Sequence, residues 1–342
     1  MQLLQILSTA INAVLPIILL ILFGYWLRRI NFISDEFAKT ANKFVFDVGL
    51  SCSMFINVYS INAVSSIKWN FVIYIVAVIL ALFFVGMLLA VLSTNQQNRK
   101  GVILQGVFRS NFAILGLSLA SAFGGAEAES VAAVASAFAI PLFNIFAVIA
   151  LTVFSEAEDA RGHSLKSVLA SILKNPMIIG VLLGMVCLVV RELQRAFAGS
   201  VVFSIKEDLP FLYSPINSLK SITTPLALVV LGAQFKFSAV KGMLREILAG
   251  TFGRILLAPV IGIGGAILLS LCTNLLTCGV NEYAVLLGLF GSPSAISGAV
   301  MAGQMGGDEQ LATQIVVWSS LGSIFTVFLL SCILMAMGLL PT

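Results

Sequence analysis

The chemistry open to this chain rests on a few polar side chains set in very apolar surroundings. Asp47, Arg109, Asn144, Lys220, Gln234 and Arg254 all fall within or beside long hydrophobic runs. An ionised group at the centre of a bilayer costs about 2.5–3.5 kcal/mol on insertion scales, so each needs a partner, a route to the surface or a function. Lys220 and Arg254 read as cations that snorkel to the membrane surface. Lys43 and Asp47 stand four apart on one helix face and can pair. Asn144 puts a neutral amide in mid-helix, where it bonds across helices or faces a cavity; the cavity is favoured.

Two apolar runs are broken near their middle, at Arg109-Ser110-Asn111 and at Gly291-Ser292-Pro293-Ser294. Proline removes a backbone donor and frees the carbonyl one turn earlier. In lipid, loose backbone groups are tolerated only where they are buried in protein or line a watery cavity. Half-helix N-termini aim N–H groups at an anion, and freed carbonyls suit a cation. A kinked packing helix accounts for either break alone, but the matched pair points to a binding site. Arg109, Ser110, Asn111, Ser292, Pro293, Ser294 and Asn144 are its candidate residues. For Arg109, beside the first break, an anion-binding and a packing role are equally open.

The elements that carry these residues follow from composition. Of 342 residues 10% are charged and 59% hydrophobic, with a mean hydropathy of +1.07, against about 25% charged in an ordinary soluble chain. The runs are continuous and do not alternate with period two, which excludes a β-barrel. The chain is therefore expected to be an all-α polytopic membrane protein. Hydropathy places spans at about 10–27, 38–57, 69–92, 102–123, 130–154, 175–190, 216–235, 247–272, 283–305 and 310–339. The first lacks a basic leader and a small-residue cleavage site, so it reads as a retained span. Twelve Lys and Arg fall on one side of this arrangement and four on the other; the positive-inside rule puts the basic loops in the cytoplasm and both termini outside.

The chain also repeats itself. Shifted by 182 residues, Ser110, Ala113, Ile114 and Ala120 meet Ser292, Ala295, Ile296 and Ala302, and Gly124-Gly125-Ala126-Glu127 meets Gly306-Gly307-Asp308-Glu309. Two five-helix halves, 1–154 and 175–342, are joined by a cytoplasmic linker at 155–174 that carries the one histidine, His163, and an amphipathic stretch ending at Lys174. Five being odd, the second half is inverted, as in many secondary transporters. There is no HExxH, P-loop or GxSxG; the GGDEQ at 306–310 is a turn, and the net charge of +4 implies no nucleic-acid partner. The five cysteines form no CxxC and read as small buried hydrophobes, though Cys272 and Cys278 are near enough in sequence to pair.

Phe108-Arg109-Ser110-Asn111-Phe112-Ala113-Ile114-Leu115-Gly116-Leu117 resembles the span-4 signature of the auxin efflux carrier family, within the bile/arsenite/riboflavin-type transporter superfamily. So do Asn175-Pro176, Thr224-Pro225-Leu226-Ala227-Leu228 with Leu231-Gly232-Ala233, and Ser292-Pro293 with Gly303-Gln304. The resemblance runs in order along nearly the whole chain. It departs in span 2, where the family's usual N-x-x-L-P is Asp47-Val48-Gly49-Leu50-Ser51.

The resemblance implies ten helices, with spans 1, 2, 6 and 7 as a scaffold and spans 3–5 and 8–10 as a moving transport domain. Broken, crossing spans 4 and 9 would hold the substrate. Asn111 and Pro293 then sit at the crossing, flanked by Ser110, Ser292 and Ser294, with Asn144 nearby and Asp47 and Ser51 on the scaffold side. Family members are associated with auxin, malate, malonate and other organic acids, without an ATPase. The expectation is a non-enzymatic secondary carrier of a small organic anion in the plasma membrane, working by alternating access, with Asp47 as a buried proton carrier. The rivals are a sodium-coupled symporter and a membrane sensor that binds an organic acid without moving it. The lipid bilayer and the anion are the expected partners, and no cofactor is implied. The coupling ion, H+ or Na+, and the oligomeric state, a homodimer included, stay open.

Overall fold

Long apolar runs without β-periodicity satisfy their own backbone only as helices, and the computed structural model consists of helices joined by short connections over the residues it describes: 2–60, 68–155, 174–273 and 275–341. Most of the linker, with His163 and all of its amphipathic stretch but Lys174, lies outside the described residues. The helices are α1 (Gln2–Arg29), α2 (Asp35–Phe44), α3 (Leu50–Tyr59), α4 (Trp69–Ser93), α5 (Gln97–Phe108), α6 (Leu117–Val153), α7 (Pro176–Ala198), α8 (Pro210–Gln234), α9 (Leu244–Phe252), α10 (Gly265–Cys272), α11 (Val280–Gly291), α12 (Ile296–Gln304) and α13 (Glu309–Ala336). Among the described residues six helical stretches are long and apolar enough to cross a membrane: Trp69–Ser93, Phe112–Val153, Pro176–Ala198, Pro210–Gln234, Leu244–Cys272 and Glu309–Ala336. All five cysteines are free, so Cys272 and Cys278 do not pair.

The runs at 102–123 and 130–154 are expected as separate spans, and between them the helical stretch Leu117–Val153 is broken by a kink at Gly125, whose φ of 63° lies in the left-handed region. One detail departs from hydropathy. Helices α2 and α3 are joined by a wide π turn at Val45–Gly49 rather than by continuous α-helix.

The helices pack as two groups that are bridged where α1 lies against α13. In one, α1 lies against α8, α3 against α7, and α8 against α3. In the other, α4 lies against α5, α6 against α11, and α9 against both α5 and α13. Within the first group α1 and α8 approach backbone to backbone. A Cβ on Gly232 would lie 1.9 Å from the Ile21 carbonyl oxygen, and one on Gly24 would lie 2.0 Å from that of Val229. Such close approach is what small residues permit between helices in lipid. Gly232→Ala should therefore push the pair apart, costing about 1–3 kcal/mol, as overpacking does, and lowering the thermal midpoint by several degrees in detergent. An unchanged midpoint would mean that the pair does not set the spacing of this group.

At one end of the second group, Arg99 forms ion pairs with Asp308 at 2.9 Å and with Glu246 at 3.0 Å. Asp308 also caps α13 by accepting from the Leu311 N–H. The entries to α5, α9 and α13 are thus tied together, which fixes where the breaks further along α5 and α11 must fall.

Candidate functional site

Helix α5 ends at Phe108 and α11 at Gly291, and the chain continues from both in extended conformation. The two extended stretches meet. The Asn111 N–H donates to the Pro293 carbonyl at 2.9 Å, and the Ala295 N–H donates to the Arg109 carbonyl at 3.1 Å. This places Ser110 and Ser294 opposite one another in a minimal antiparallel bridge. The Ser294 N–H donates to the Ser319 hydroxyl at 3.1 Å. Two backbone groups of each break are thereby satisfied by the other, which is what an apolar interior demands. The approach is close: a Cβ on Gly288 would lie 2.2 Å from the Gly116 carbonyl oxygen.

Each break leaves a helix C-terminus and a helix N-terminus, and the two kinds of end are treated differently. At the C-terminal ends stands Arg254, carried on a π turn at Gly253–Leu257 and 0% exposed. Its Nε donates to the Ser292 carbonyl, its Nη1 to Val107 and Phe108, and its Nη2 to Leu289 and Phe290, over 2.9–3.3 Å. Arg254 does not snorkel as expected: its acceptors lie inside the protein.

At the N-terminal ends there is no such plug. Neither Asn111 nor Ala295 caps the following helix through its side chain. The first-turn amides, Phe112 and Ala113 on one side and Ile296 and Ser297 on the other, precede any intrahelical acceptor. Beside them lies a cavity with about 190 Å³ of free space, lined by Arg109, Ser110, Asn111 and Ala295–Ser297 from the crossing and by Asn144 behind it. Helices α3 and α8 supply the facing wall with Leu50, Ser53, Met54, Asn57, Lys220, Thr223, Thr224 and Ala227.

The electrostatics of this cavity are one-sided. Arg109 is 3% exposed and donates to the Asn144 Oδ1 at 2.6 Å and to the Met301 sulfur. Asn144 is held in turn by donating to the Ile140 carbonyl at 2.7 Å. Among the described residues neither Arg109 nor Lys220 has a carboxylate partner, and no acidic residue lines the cavity. Asn111 is 4% exposed, and its Nδ2, like the Ser110 Oγ, is buried without a hydrogen-bond partner. Two cations, an unpaired amide donor and two uncapped helix N-termini converge on one space, an arrangement suited to an anion.

Of the residues singled out from sequence, Arg109, Ser110, Asn111 and Asn144 come together here. Ser292, Pro293 and Ser294 do not line the cavity; they build the crossing, the Ser292 hydroxyl donating back to the Gly288 carbonyl. Asp47 is exposed, forms no ion pair with Lys43 and does not line the cavity, so the expected burial of its carboxyl is not found. Ser51 donates to the Asp47 carbonyl at 2.9 Å and is likewise outside. The π turn at 45–49 is the reason. It inserts an extra residue into the helical register, so the face presented from Leu50 onward is not the one that Asp47 occupies. Lys220, Asn57, Thr223, Thr224 and Ser297 were missed. A signal existed: 50, 53, 54, 57 and 220, 223, 224, 227 each follow the i, i+3, i+4, i+7 spacing of one helix face.

Membrane-length apolar helices around a polar cavity at paired helix breaks define a multi-pass helical membrane protein. Residues 9–331 match the family model described as membrane transport protein, and the chain belongs to that family, the auxin efflux carrier family. It is also similar to an uncharacterized transporter of Methanocaldococcus jannaschii, 26% identical over 254 residues that cover 72% of this chain and 76% of the relative. The family is one of membrane transporters and not of enzymes.

Proposed function

We propose that the protein is a secondary carrier of a small dicarboxylate, held at the crossing between α5–α6 and α11–α12 and moved by alternating access. The carrying observation is the pair of cations, buried Arg109 and half-buried Lys220, that share the cavity without an acidic partner among the described residues. A buried charge without a counter-charge is costly, and a bound carboxylate relieves that cost. Two cations suit a ligand with two carboxylates, and the Asn111 amide and the uncapped N-termini add donors for its oxygens. The confined space favours a short-chain acid. In this reading the chain forms ten spans in two inverted halves in the plasma membrane, with both termini outside.

Polar contacts between the α2–α8 side and α13 gather at one end: Asn42 donates to Glu309 at 2.7 Å, Gln310 to the Gln234 carbonyl at 2.9 Å and Gln314 to the Lys236 carbonyl at 2.9 Å. The basic loops put this end in the cytoplasm. Toward the other end a second cleft, sharing Ile114 and Thr224 with the first, runs between α1 and the start of α6. The state is then closed to the cytoplasm and faces outward.

The test is ligand-dependent thermal stabilisation of the purified protein. A three- or four-carbon dicarboxylate should raise the midpoint more than a monocarboxylate of equal length. Lys220→Gln should weaken dicarboxylate binding by roughly 10- to 100-fold, the worth of one charge-assisted hydrogen bond, and leave the monocarboxylate nearly unaffected. Equal stabilisation by both acids in the unaltered protein would contradict the dicarboxylate reading.

A further inference from the structure

The C-terminal ends of α5 and α11 concentrate partial negative charge, because their last carbonyls have no helical donors. Secondary carriers built on broken helices commonly place a coupling sodium ion or proton at such ends. Here that position holds Arg254, whose five N–H donors are all engaged by backbone carbonyls drawn from both broken helices. Among the described residues Arg254 has no carboxylate partner, and it does not line the cavity. Its charge is therefore balanced, among the described residues, by helix ends.

We infer that Arg254 is a permanent internal cation that takes the place of a bound metal ion at the crossing, so that the anion site is assembled without sodium. It is a positioning residue: it pins the two C-terminal ends together, and the bridge between Ser110 and Ser294, with the N-termini beyond it, inherits that geometry. The flux arm of the test rests on the carrier reading; the stability arm stands without it.

The experiment uses the full chain in detergent and in liposomes. Arg254→Ala should lower the thermal midpoint by roughly 10 °C, on the scale of removing a buried partner from a satisfied charge network. Millimolar guanidinium should restore most of that loss, while the same concentration of urea, similar in shape but neutral, should not. Restoration by urea as well as by guanidinium would overturn the inference, as would no loss at all. If Arg254→Ala yields no folded protein, Arg254→Lys against Arg254→Gln decides. The lysine variant should keep the higher midpoint, and a glutamine variant equal to it or better would overturn the inference. In the unaltered protein, replacing sodium by N-methylglucamine should leave both the midpoint and any anion uptake unchanged. A sodium requirement for either would contradict the inference. Absence of uptake under both conditions would count against the carrier reading alone, because the guanidinium result would still stand.

Discussion

Arg109→Ala is expected to abolish high-affinity anion binding without destabilising the protein. The guanidinium is buried, lines the cavity and, among the described residues, is held only by the Asn144 oxygen and the Met301 sulfur. Removing it deletes one charge-assisted contact to the ligand and weakens binding by roughly 10- to 100-fold. It also removes an uncompensated buried charge, so the midpoint of the ligand-free protein should stay level or rise. Arg109→Lys, which keeps the charge but loses the planar fork, should fall between. Titration calorimetry and thermal unfolding on the same preparations check both halves. The pairing distinguishes the two buried arginines: Arg109 should govern binding and leave stability alone, whereas Arg254 should govern stability. A large fall in the midpoint of Arg109→Ala would show that Arg109 is a packing residue and that the anion site lies elsewhere.

The second large effect concerns movement. With Asn42 and Glu309 both replaced by cysteine and joined by a short reducible cross-linker, uptake should drop to background and return on reduction. The Asn42 side chain reaches Glu309 at 2.7 Å across the boundary between α2 and α13. Tying that boundary should hold the outward-facing state while leaving the cavity open to ligand, so binding should survive the loss of flux. The unaltered protein carries five free cysteines, of which Cys272 is exposed, and it should keep its uptake through the same treatment. Continued flux in the cross-linked protein would rule out separation of α2 from α13 as part of transport.

The breaks at 109–111 and 292–294 were legible because polar residues and a proline interrupt otherwise continuous apolar runs, a one-dimensional signal with a direct backbone consequence. Which side of the crossing each residue faces was not. Ser292, Pro293 and Ser294 look as suitable for a ligand as Ser110 and Asn111, yet their groups are spent on the Gly288, Ser319 and Asn111 partners of the crossing itself. Arg254 shows the same limit. A cation in an apolar run reads as snorkelling until its acceptors are known, and those come from α5, α11 and the second break, up to 147 residues away. Lys220 was misread for the same reason, since the facing wall of its cavity belongs to distant segments. Asp47 failed differently. A π turn leaves little trace in composition, and one inserted residue was enough to carry the acid off the site-facing register.

The central claim is that the cavity at the crossing is the substrate site of a carrier, and counterflow tests it most directly. Proteoliposomes loaded with an unlabelled short-chain dicarboxylate would be diluted into a trace of the labelled acid, with Asn111→Ala protein alongside. The account predicts transient, saturable accumulation of label by the unaltered protein and its loss in Asn111→Ala, which removes an unpaired buried amide donor at the crossing. Binding of the acid without any counterflow would contradict the claim and favour a sensor that holds its ligand without moving it.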